Sequence, residues 1–428
     1  QQKALSAYCY PMTMSDYSAL MMQGRPKSGQ TLDEVKALLL GELKKLREGD
    51  FDEKMLEAII NNFKLSIMRG LEDNGTRADM FVESFVNGSD WADEVTAIDR
   101  LSALTKQDVV DFANKYLKDT NLAVIYKKQG KDPNEKKISK PQITPIVMNR
   151  DQVSPFLAEI QQSQVAPIEP SFIDFDKDLD KLMMKSNIPV LYKKNVTNGL
   201  FELMYVYNFG DNHDKALPTA IDYLDYLGTD DMTPEEVKSE FYRLACSYQV
   251  MSAGRRSYIM LSGLNENMPQ AVALMEKLLA HAQVNKEAYA NMVNDILKQR
   301  VDGKSNQGNN FSHLMAYVTY GANNSMTNIL SEKELKLMDP QQLVNRIHDL
   351  NSWKHTVTYY GPMSEQELIV LLDKEHQVPA ELKDAPAEYN YVQQLPTETT
   401  IFIAPYDAKQ IYMRMYSDRG EKFDPSIE

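Results

Sequence analysis

Residues 188–210 read IPVLYKKNVTNGLFELMYVYNFG, and they determine how the rest of the chain is interpreted. Two apolar segments rich in aromatic residues flank V-T-N-G. An Asn-Gly pair, here Asn198-Gly199, between two such segments is a strong β-hairpin signal. The pattern therefore predicts two strands, 188–195 and 200–210, that pair with each other across a tight turn.

The chain contains the same order of predicted helices twice, each time closed by a predicted strand. The first series consists of TLDEVKALLLGELKKLREGD (31–50), FDEKMLEAIINNFKLSIMRGLED (51–73), LTKQDVVDFANKYL (104–117) and the strand NLAVIYKK (121–128). The second consists of MPQAVALMEKLLAH (268–281), NKEAYANMVNDILKQRVDG (285–303), MDPQQLVNRIHDL (338–350) and the strand KHTVTYYG (354–361). Apolar residues recur at helical spacing in each predicted helix.

The two series stay in step at a shift of 233 to 234 residues, over about 90 residues. Identical residues along this shift include the pairs Glu42/Glu276, Glu53/Glu287, Lys64/Lys298, Gly88/Gly321 and Val110/Val344. A nearly constant shift over that length indicates an internal repeat.

Three pieces of the repeat are predicted. Residues 1–130 form a repeat without its first strands, although AYCYP and YSALMMQ read as strands. Residues 131–170 are a Pro-punctuated linker, and 171–362 form a complete repeat. A connector, 363–395, opens with a capping-box helix, and 396–428 supply the first strands of a further repeat, because TTIFIAPYDAKQIYMRMYSDRG again reads strand, turn, strand. Strand pairs mixed with long helices predict an α+β fold. The incomplete end repeats predict a piece of a longer protein.

Composition excludes some classes of partner. The formal net charge is −14 and the pI is near 5.1, whereas nucleic-acid binding needs a concentrated basic surface. The Lys-rich stretch 126–140 is interpreted as a solvated linker. No run of about 18 apolar residues exists, so no membrane span is predicted. Cys9 and Cys246 are expected to be buried, inert thiols, and they do not indicate a compartment.

A helix is predicted at 216–227, in ALPTAIDYLDYLGT (216–229), directly after the predicted hairpin. This hairpin, the helix before LGTDDMTPEE and the stretch SGLNEN…ALMEKLL together resemble the insulinase/pitrilysin family of zinc metallopeptidases, peptidase family M16. The resemblance covers nearly the whole chain in three pieces. It implies repeated units of antiparallel sheet packed against helices, as in the LuxS/MPP-like metallopeptidase fold. It also implies a zinc motif H-x-x-E-H before Gly-Thr, and a further Glu ligand some seventy residues on.

This sequence has lost the ligands of that motif. Counted back from Gly228, Thr219 and Tyr223 stand at the two His positions and Asp222 at the Glu position, and Asn294 stands where the third ligand belongs. The helical period places Thr219, Asp222 and Tyr223 on one face. Thr and Tyr are poor zinc ligands, and Asp222 has no metal-bound water to activate. We therefore predict no catalytic, cofactor-binding or metal-binding residue in this chain.

No other pattern supplies chemistry. The six histidines include no two that lie three to five residues apart, so each is expected to be a surface or helix-end residue: His213, His281, His313, His348, His355 and His376. Neither a Gly-x-Ser-x-Gly elbow nor a phosphate-binding glycine loop is present. SAGRRSY (252–258) is interpreted as a turn or hairpin tip. Most Met and Tyr residues are expected in the core.

The resemblance implies the non-catalytic portion of a zinc-dependent metallopeptidase. Zinc would belong to the parent protein, in an N-terminal unit outside this chain. The partners would be a peptide substrate and the catalytic half of the same protein, and this piece would supply chamber wall and substrate-contact surface. One alternative is a stand-alone inactive homologue that acts as a scaffold or peptide-binding module. Another is an enzyme with unrelated chemistry centred on Asp222 and Tyr223.

Overall fold

The computed structural model describes residues 3–14, 16–131, 139–146, 148, 150 and 152–417. They form two compact units, one from the residues up to Asn121 together with those from Leu179 onward, the other from Leu122 to Asp178. No helix within these described ranges is long and apolar enough to cross a bilayer. The end of the last predicted strand, 418–420, and part of the predicted linker, 132–138, lie outside the described residues.

The larger unit begins with a hairpin and a run of helices. Its elements are β1 (Ser6–Met12), β2 (Ala19–Arg25), α1 (Leu32–Glu48), α2 (Lys54–Gly70), α3 (Asn74–Asn87), α4 (Trp91–Val95), α5 (Ala97–Ser102) and α6 (Lys106–Tyr116). β1 and β2 pair antiparallel in a two-stranded sheet, which confirms the two strands predicted there. Cys9 on β1 is exposed, so the expectation that it is buried was wrong.

The smaller unit has one described helix, α7 (Pro155–Gln162). The Ser154 side chain accepts a hydrogen bond from the Leu157 amide, and proline follows at the first helical position, where its missing N–H costs no intrahelical bond. The rest of the unit's described residues contain neither helix nor strand. The strand predicted at 121–128 is therefore not found.

The larger unit continues with a mixed series of strands and helices. Its elements are β3 (Asp180–Met183), β4 (Pro189–Lys194), β5 (Leu200–Tyr207), α8 (Leu217–Leu224), α9 (Pro234–Arg243), β6 (Cys246–Ala253), β7 (Arg256–Leu264), α10 (Met268–His281), α11 (Lys286–Gly303), α12 (Gln307–Tyr320), α13 (Glu332–Leu337), α14 (Gln341–His348), β8 (His355–Gly361) and α15 (Glu365–Glu375). The predicted α+β fold is confirmed. The helices of the two series match at the predicted shift, as α1/α10, α2/α11 and α6/α14. α3 and α12, which belong to neither predicted series, match at the same shift.

Local signals set several helix ends as the sequence predicts. Thr31 caps α1 through a reciprocal capping box with Glu34, and Gly49 ends that helix in the left-handed region at φ 71°. Ser364 and Glu367 form the same box at the start of α15. These ends depend on neighbours three or four residues away, which a sequence displays directly.

The predicted pairing of 188–195 with 200–210 was wrong. The six-stranded sheet has the order β3-β4-β8-β5-β7-β6, so β8 lies between the two strands. β8 pairs parallel with β4 and antiparallel with β5, and the sheet is mixed, not antiparallel throughout as expected. The connection after β4 therefore spans two strand spacings, about 10 Å. The Asn195 side chain organises it by binding Asn198 Oδ1 and the Leu200 carbonyl.

The main core lies on one face of this sheet. Alternate residues of β5 (Phe201, Leu203, Tyr205 and Tyr207) are buried against helices, and β7 and β8 alternate in the same way. The intervening residues of β5 are half-buried or exposed, so the opposite sheet face is open over its middle strands. β6 and β7 join at Gly254-Arg255, which confirms SAGRRSY as a hairpin tip.

The N-terminal helices contact the rim of this sheet through α2. Leu65 packs with Leu200 and Leu264, and Arg69 donates to the Ser262 hydroxyl at 2.8 Å. Residues 396–417, predicted to begin a further repeat, contain no strand in the described chain. The assignment of five domain segments remains a prediction.

Candidate functional site

The predicted relic of a zinc motif lies on α8 and in the turn after it. The structure does not place its three residues on one exposed face. Tyr223 is fully buried, Thr219 is half-buried and Asp222 is exposed. The apolar stripe of α8 (Leu217, Ala220, Tyr223 and Leu224) faces the core, so the residue at the predicted second ligand position, Tyr223, is a core residue.

The Tyr223 hydroxyl is fully engaged. It donates to the Asn285 carbonyl at 2.6 Å and accepts from the Asn285 amide at 2.9 Å, which joins α8 to the start of α11. Its ring meets Tyr289 edge-on, with centroids 5.5 Å apart. Burial raises the pKa of Tyr223 above its usual value. A neutral, buried and doubly hydrogen-bonded phenol is unsuited to metal binding or to proton transfer with a substrate.

The surface beside α8 is acidic. Asp222, Asp225 and Asp295 all act to raise the pKa of Tyr226, after the larger effect of burial. Asp222 is exposed, yet the atoms crowding it, and then the charge of Asp225, raise its own pKa above the usual range. Asn294 is exposed on α11. Repelling carboxylates with no histidine among them do not make a zinc-binding set.

The Gly-Thr pair after α8 has a structural role. A Cβ at Gly228 would lie 2.1 Å from the Met232 carbonyl oxygen, so only glycine allows this approach. Thr229 is buried, and its backbone N–H donates to the same carbonyl at 2.8 Å. The turn thus leads the chain into α9, whether or not a metal is bound nearby.

The residues at the motif positions do not fit zinc. Thr219, Asp222, Tyr223 and Asn294 offer one surface carboxylate, and no group of three or more His, Cys, Asp or Glu side chains suited to a metal exists among the residues that the structure describes. Asp222 and Tyr223 also point to different environments, so the structure does not bring them together as a reactive pair.

The open face of the sheet carries a second candidate surface. A cavity of about 230 Å³ crosses the middle strands, lined by Leu179, Leu191, Lys193, Glu202, Met204, Met260, Ser262, Thr358 and Tyr360. Thioether, aliphatic and aromatic groups form its floor, and one basic and one acidic side chain lie among them. The sequence interpretation had assigned such Met and Tyr residues to the core, but Met204, Met260 and Tyr360 are in the outward phase of their strands.

The histidine prediction was wrong for His355, which is buried within β8, whereas His376 lies at a helix end as expected but is buried there. His355 and His376 are 5% and 2% exposed, and their Nε2 atoms lie 2.8 Å apart. The alternation of β8 gave a signal, because His355 shares the phase of the buried Val357 and Tyr359. The buried Glu276 beside them also occupies the apolar phase of α10, with Val272 and Leu279.

No family model and no curated protein matches this sequence. Among solved structures, the chain is similar to a peptidase M16 inactive domain from Pseudomonas fluorescens, at 16% identity and a TM-score of 0.41, over 49% of this chain and 52% of that chain. It is also similar to the periplasmic protease PqqL from Escherichia coli, at 14% identity and a TM-score of 0.43, over 91% of this chain and 45% of that chain. A third similar structure is the ferredoxin protease FusC in complex with Arabidopsis ferredoxin. Its identity is 12% and its TM-score 0.45, over 92% of this chain and 46% of that chain.

The chain spans about half the length of these solved structures. At these identities and TM-scores, the likeness assigns neither a family nor an activity to the chain.

Proposed function

We propose that this chain is the non-catalytic part of a zinc-dependent peptidase and supplies a surface that contacts the peptide substrate. The observation that carries the proposal is the position of Tyr223. The second ligand position of the zinc motif is filled by a core side chain that is hydrogen-bonded on both sides by Asn285. The helix and its Gly-Thr turn thus keep the form of the motif and serve packing alone. Zinc and the hydrolytic water would be held in another unit of the parent protein.

The open sheet face is the substrate-contact surface in this proposal. Met204 and Met260 are flexible and polarisable, and such side chains adapt to varied apolar residues of a peptide. Tyr360 adds a rigid aromatic group, and Lys193 and Glu202 add charges of both signs. An extended peptide with alternating apolar side chains fits this shallow, strand-crossed groove.

The experiment is binding of a fluorescein-labelled extended peptide of alternating leucine and serine, followed by fluorescence anisotropy. Met260→Lys places a charge on the floor of the groove and is expected to weaken binding about tenfold or more. Gln270→Lys is the matched control, because Gln270 is exposed on α10, in the helical layer. Equal weakening by both variants, or no binding by the unaltered chain, would contradict the proposal.

The coding sequence upstream of Gln1 distinguishes the stand-alone scaffold from the non-catalytic part of a peptidase. An H-x-x-E-H motif in the same reading frame supports a peptidase with a catalytic unit, and its absence from a complete upstream sequence supports the scaffold. Hydrolysis of the probe by this chain alone, lost in Asp222→Asn, would instead support unrelated chemistry at Asp222.

A further inference from the structure

A polar network lies inside the otherwise apolar core, where the sheet meets α10 and the end of α15. His355 comes from β8, Glu276 from α10, and His376 directly follows α15. His376 Nδ1 lies 2.7 Å from Glu276 Oε1, and the two histidines meet through their Nε2 atoms at 2.8 Å. The three residues are 2 to 8% exposed. None of them belongs to the motif on α8 or to the open sheet face.

Each end of this network is an acceptor. His355 Nδ1 lies 2.6 Å from the Trp353 carbonyl oxygen, which can only accept. At the other end, the Glu276 carboxylate already accepts from the Tyr205 hydroxyl and from Asn351 Nδ2, both at 2.8 Å. With Glu276 ionised, the two imidazoles supply the protons at both ends of the network.

The proton count follows from these contacts. Three hydrogen bonds join the Trp353 carbonyl, His355, His376 and Glu276 in sequence, and each bond needs one proton. Two neutral imidazoles carry only two ring protons. Without a third, two nitrogen lone pairs would face each other at 2.8 Å. The third proton belongs to an imidazole, because the two other hydrogen bonds that Glu276 accepts favour its ionised form. One ring is then an imidazolium whose charge the carboxylate balances.

The extra proton lies on the His376 side of the pair, because His376 Nδ1 contacts the Glu276 carboxylate whereas His355 Nδ1 contacts a neutral carbonyl. Burial, and then the neighbouring His376, lower the pKa of His355 to about 4, so His355 is neutral near pH 7. The rings that pack on the pair are neutral phenols, Tyr205 with its centroid 4.2 Å from His376 and Tyr207 4.6 Å from His355. Burial raises the pKa of both tyrosines well above the usual value.

The charged groups around this network are few. Glu276 is the carboxylate that contacts the pair, and the 350–353 segment contributes the Asn351 amide and the Trp353 carbonyl. Asp349 is engaged with Lys383, and Glu375 at the end of α15 is paired with Lys374. The charge that favours an imidazolium is thus Glu276.

We propose that His355, His376 and Glu276 form a buried site that holds one extra proton at neutral pH and thereby fastens the end of α15 to the sheet. Loss of the proton leaves facing lone pairs and a buried carboxylate without its counter-charge. A second proton places two imidazolium rings in contact. The attachment of the chain from His376 onward is therefore strongest at pH values between the loss of the extra proton and the uptake of a second one.

A metal ion between the two Nε2 atoms is the alternative to a shared proton. The Nδ1 atoms contact a carbonyl and a carboxylate. Metal-binding histidines commonly donate a hydrogen bond to such groups from the ring nitrogen that does not bind the metal. A zinc ion bound at about 2.0–2.1 Å from each nitrogen would hold the Nε2 atoms roughly 3.3 Å or more apart. The 2.8 Å separation is that of a hydrogen bond, and it favours the proton.

The test is nitrogen-15 NMR of the histidine side chains in the full chain, from pH 6 to 9. We expect one of the six histidines to keep both ring nitrogens protonated at pH 8, with slow exchange of these protons with water. His376→Gln should remove this signal. If that variant does not fold, replacing His213, His281, His313 and His348 in turn assigns the signal by elimination. Finding all six rings neutral at pH 8 would overturn the proposal.

Two further arms sharpen the result. Glu276→Gln removes the counter-charge and should lower the pH at which the doubly protonated ring is lost by about one unit or more, a tenfold change. Glu287→Gln, the same substitution at an exposed site on α11, should leave that pH unchanged. A shift of the His355 and His376 signals on adding stoichiometric zinc or copper(I) would identify a metal site and contradict the proton site.

Discussion

Residues 3–121 and residues 179–361 contain matching helices, yet only the second region encloses a large core. α10 buries eight residues, whereas its counterpart α1 buries Val35 alone. The exposed apolar residues of α3 include Phe81 and Phe85, at 58% and 87%. The difference is explained by the sheet, because the second region has six strands on which its helices pack and the first has only the β1–β2 pair in the described residues.

The last strand of each region also depends on the presence of neighbouring strands. β8 lies between β4 and β5 and pairs with both. The matching segment NLAVIYKK (121–128) has a similar pattern, but no counterparts of β4 and β5 occur among the described residues before it, and it is not a strand. A helix completes its backbone hydrogen bonds internally, whereas a strand requires neighbours.

The largest expected difference between the two regions is in their response to acid. The pKa of His355 is lowered from 6.5 to about 4 by burial, so the unfolded chain takes up this proton at a higher pH than the folded chain does. Stability is then lost as the pH falls from about 6.5 to 4, by about 3 kcal/mol at the lower limit. Residues 1–121 contain no histidine.

Hydrogen exchange measured between pH 4 and 7 checks this expectation, after correction for the intrinsic pH dependence of exchange. Protection of β8 amides should fall relative to protection in α6 as the solution is acidified. His355→Phe should abolish the difference, and His313→Gln, at an exposed site, should preserve it. Equal loss in β8 and α6 in the unaltered chain would contradict the assignment of the effect to His355.

A smaller difference is expected from one substitution made at equivalent positions. Val344 in α14 is 1% exposed, and Val110 in α6 is half-buried. Val344→Ala should lower the free energy of unfolding by about 2 kcal/mol through lost burial and a cavity, and Val110→Ala by less than about 1 kcal/mol. Urea unfolding of both variants measures the ratio. Equal losses would show that the first region is packed as tightly as the second.

The last comparison is between two residues at the predicted relic of the zinc motif. Tyr223→Phe leaves the Asn285 N–H and carbonyl without their partner and should cost about 1–2 kcal/mol. Asp222→Asn removes a carboxylate whose pKa is raised by crowding and by Asp225, and should change stability by less than about 0.5 kcal/mol. Thermal unfolding compares the two, and a larger loss for Asp222→Asn would contradict the roles assigned to them.

The sequence predicts the helices and their order well, because caps such as Thr31 and Ser364 and the apolar period are local. It fails for strand pairing, because the Asn198-Gly199 signal describes two neighbouring strands and cannot reveal that β8 enters between them from about 150 residues away. It also fails for the His355–His376 pair, since the two residues belong to different elements, and no helical or strand period relates positions across a tertiary contact. The phases of His355 and Glu276 within their elements were the available signal.

The most direct test of the central claim is the zinc content of the purified chain, measured by elemental analysis after dialysis against micromolar zinc. We expect a stoichiometry near zero, because Thr219, Asp222, Tyr223 and Asn294 offer no set of zinc ligands. About one tightly held zinc per chain would contradict the account. A variant series at His355, His376 and Asp222 would then locate the metal.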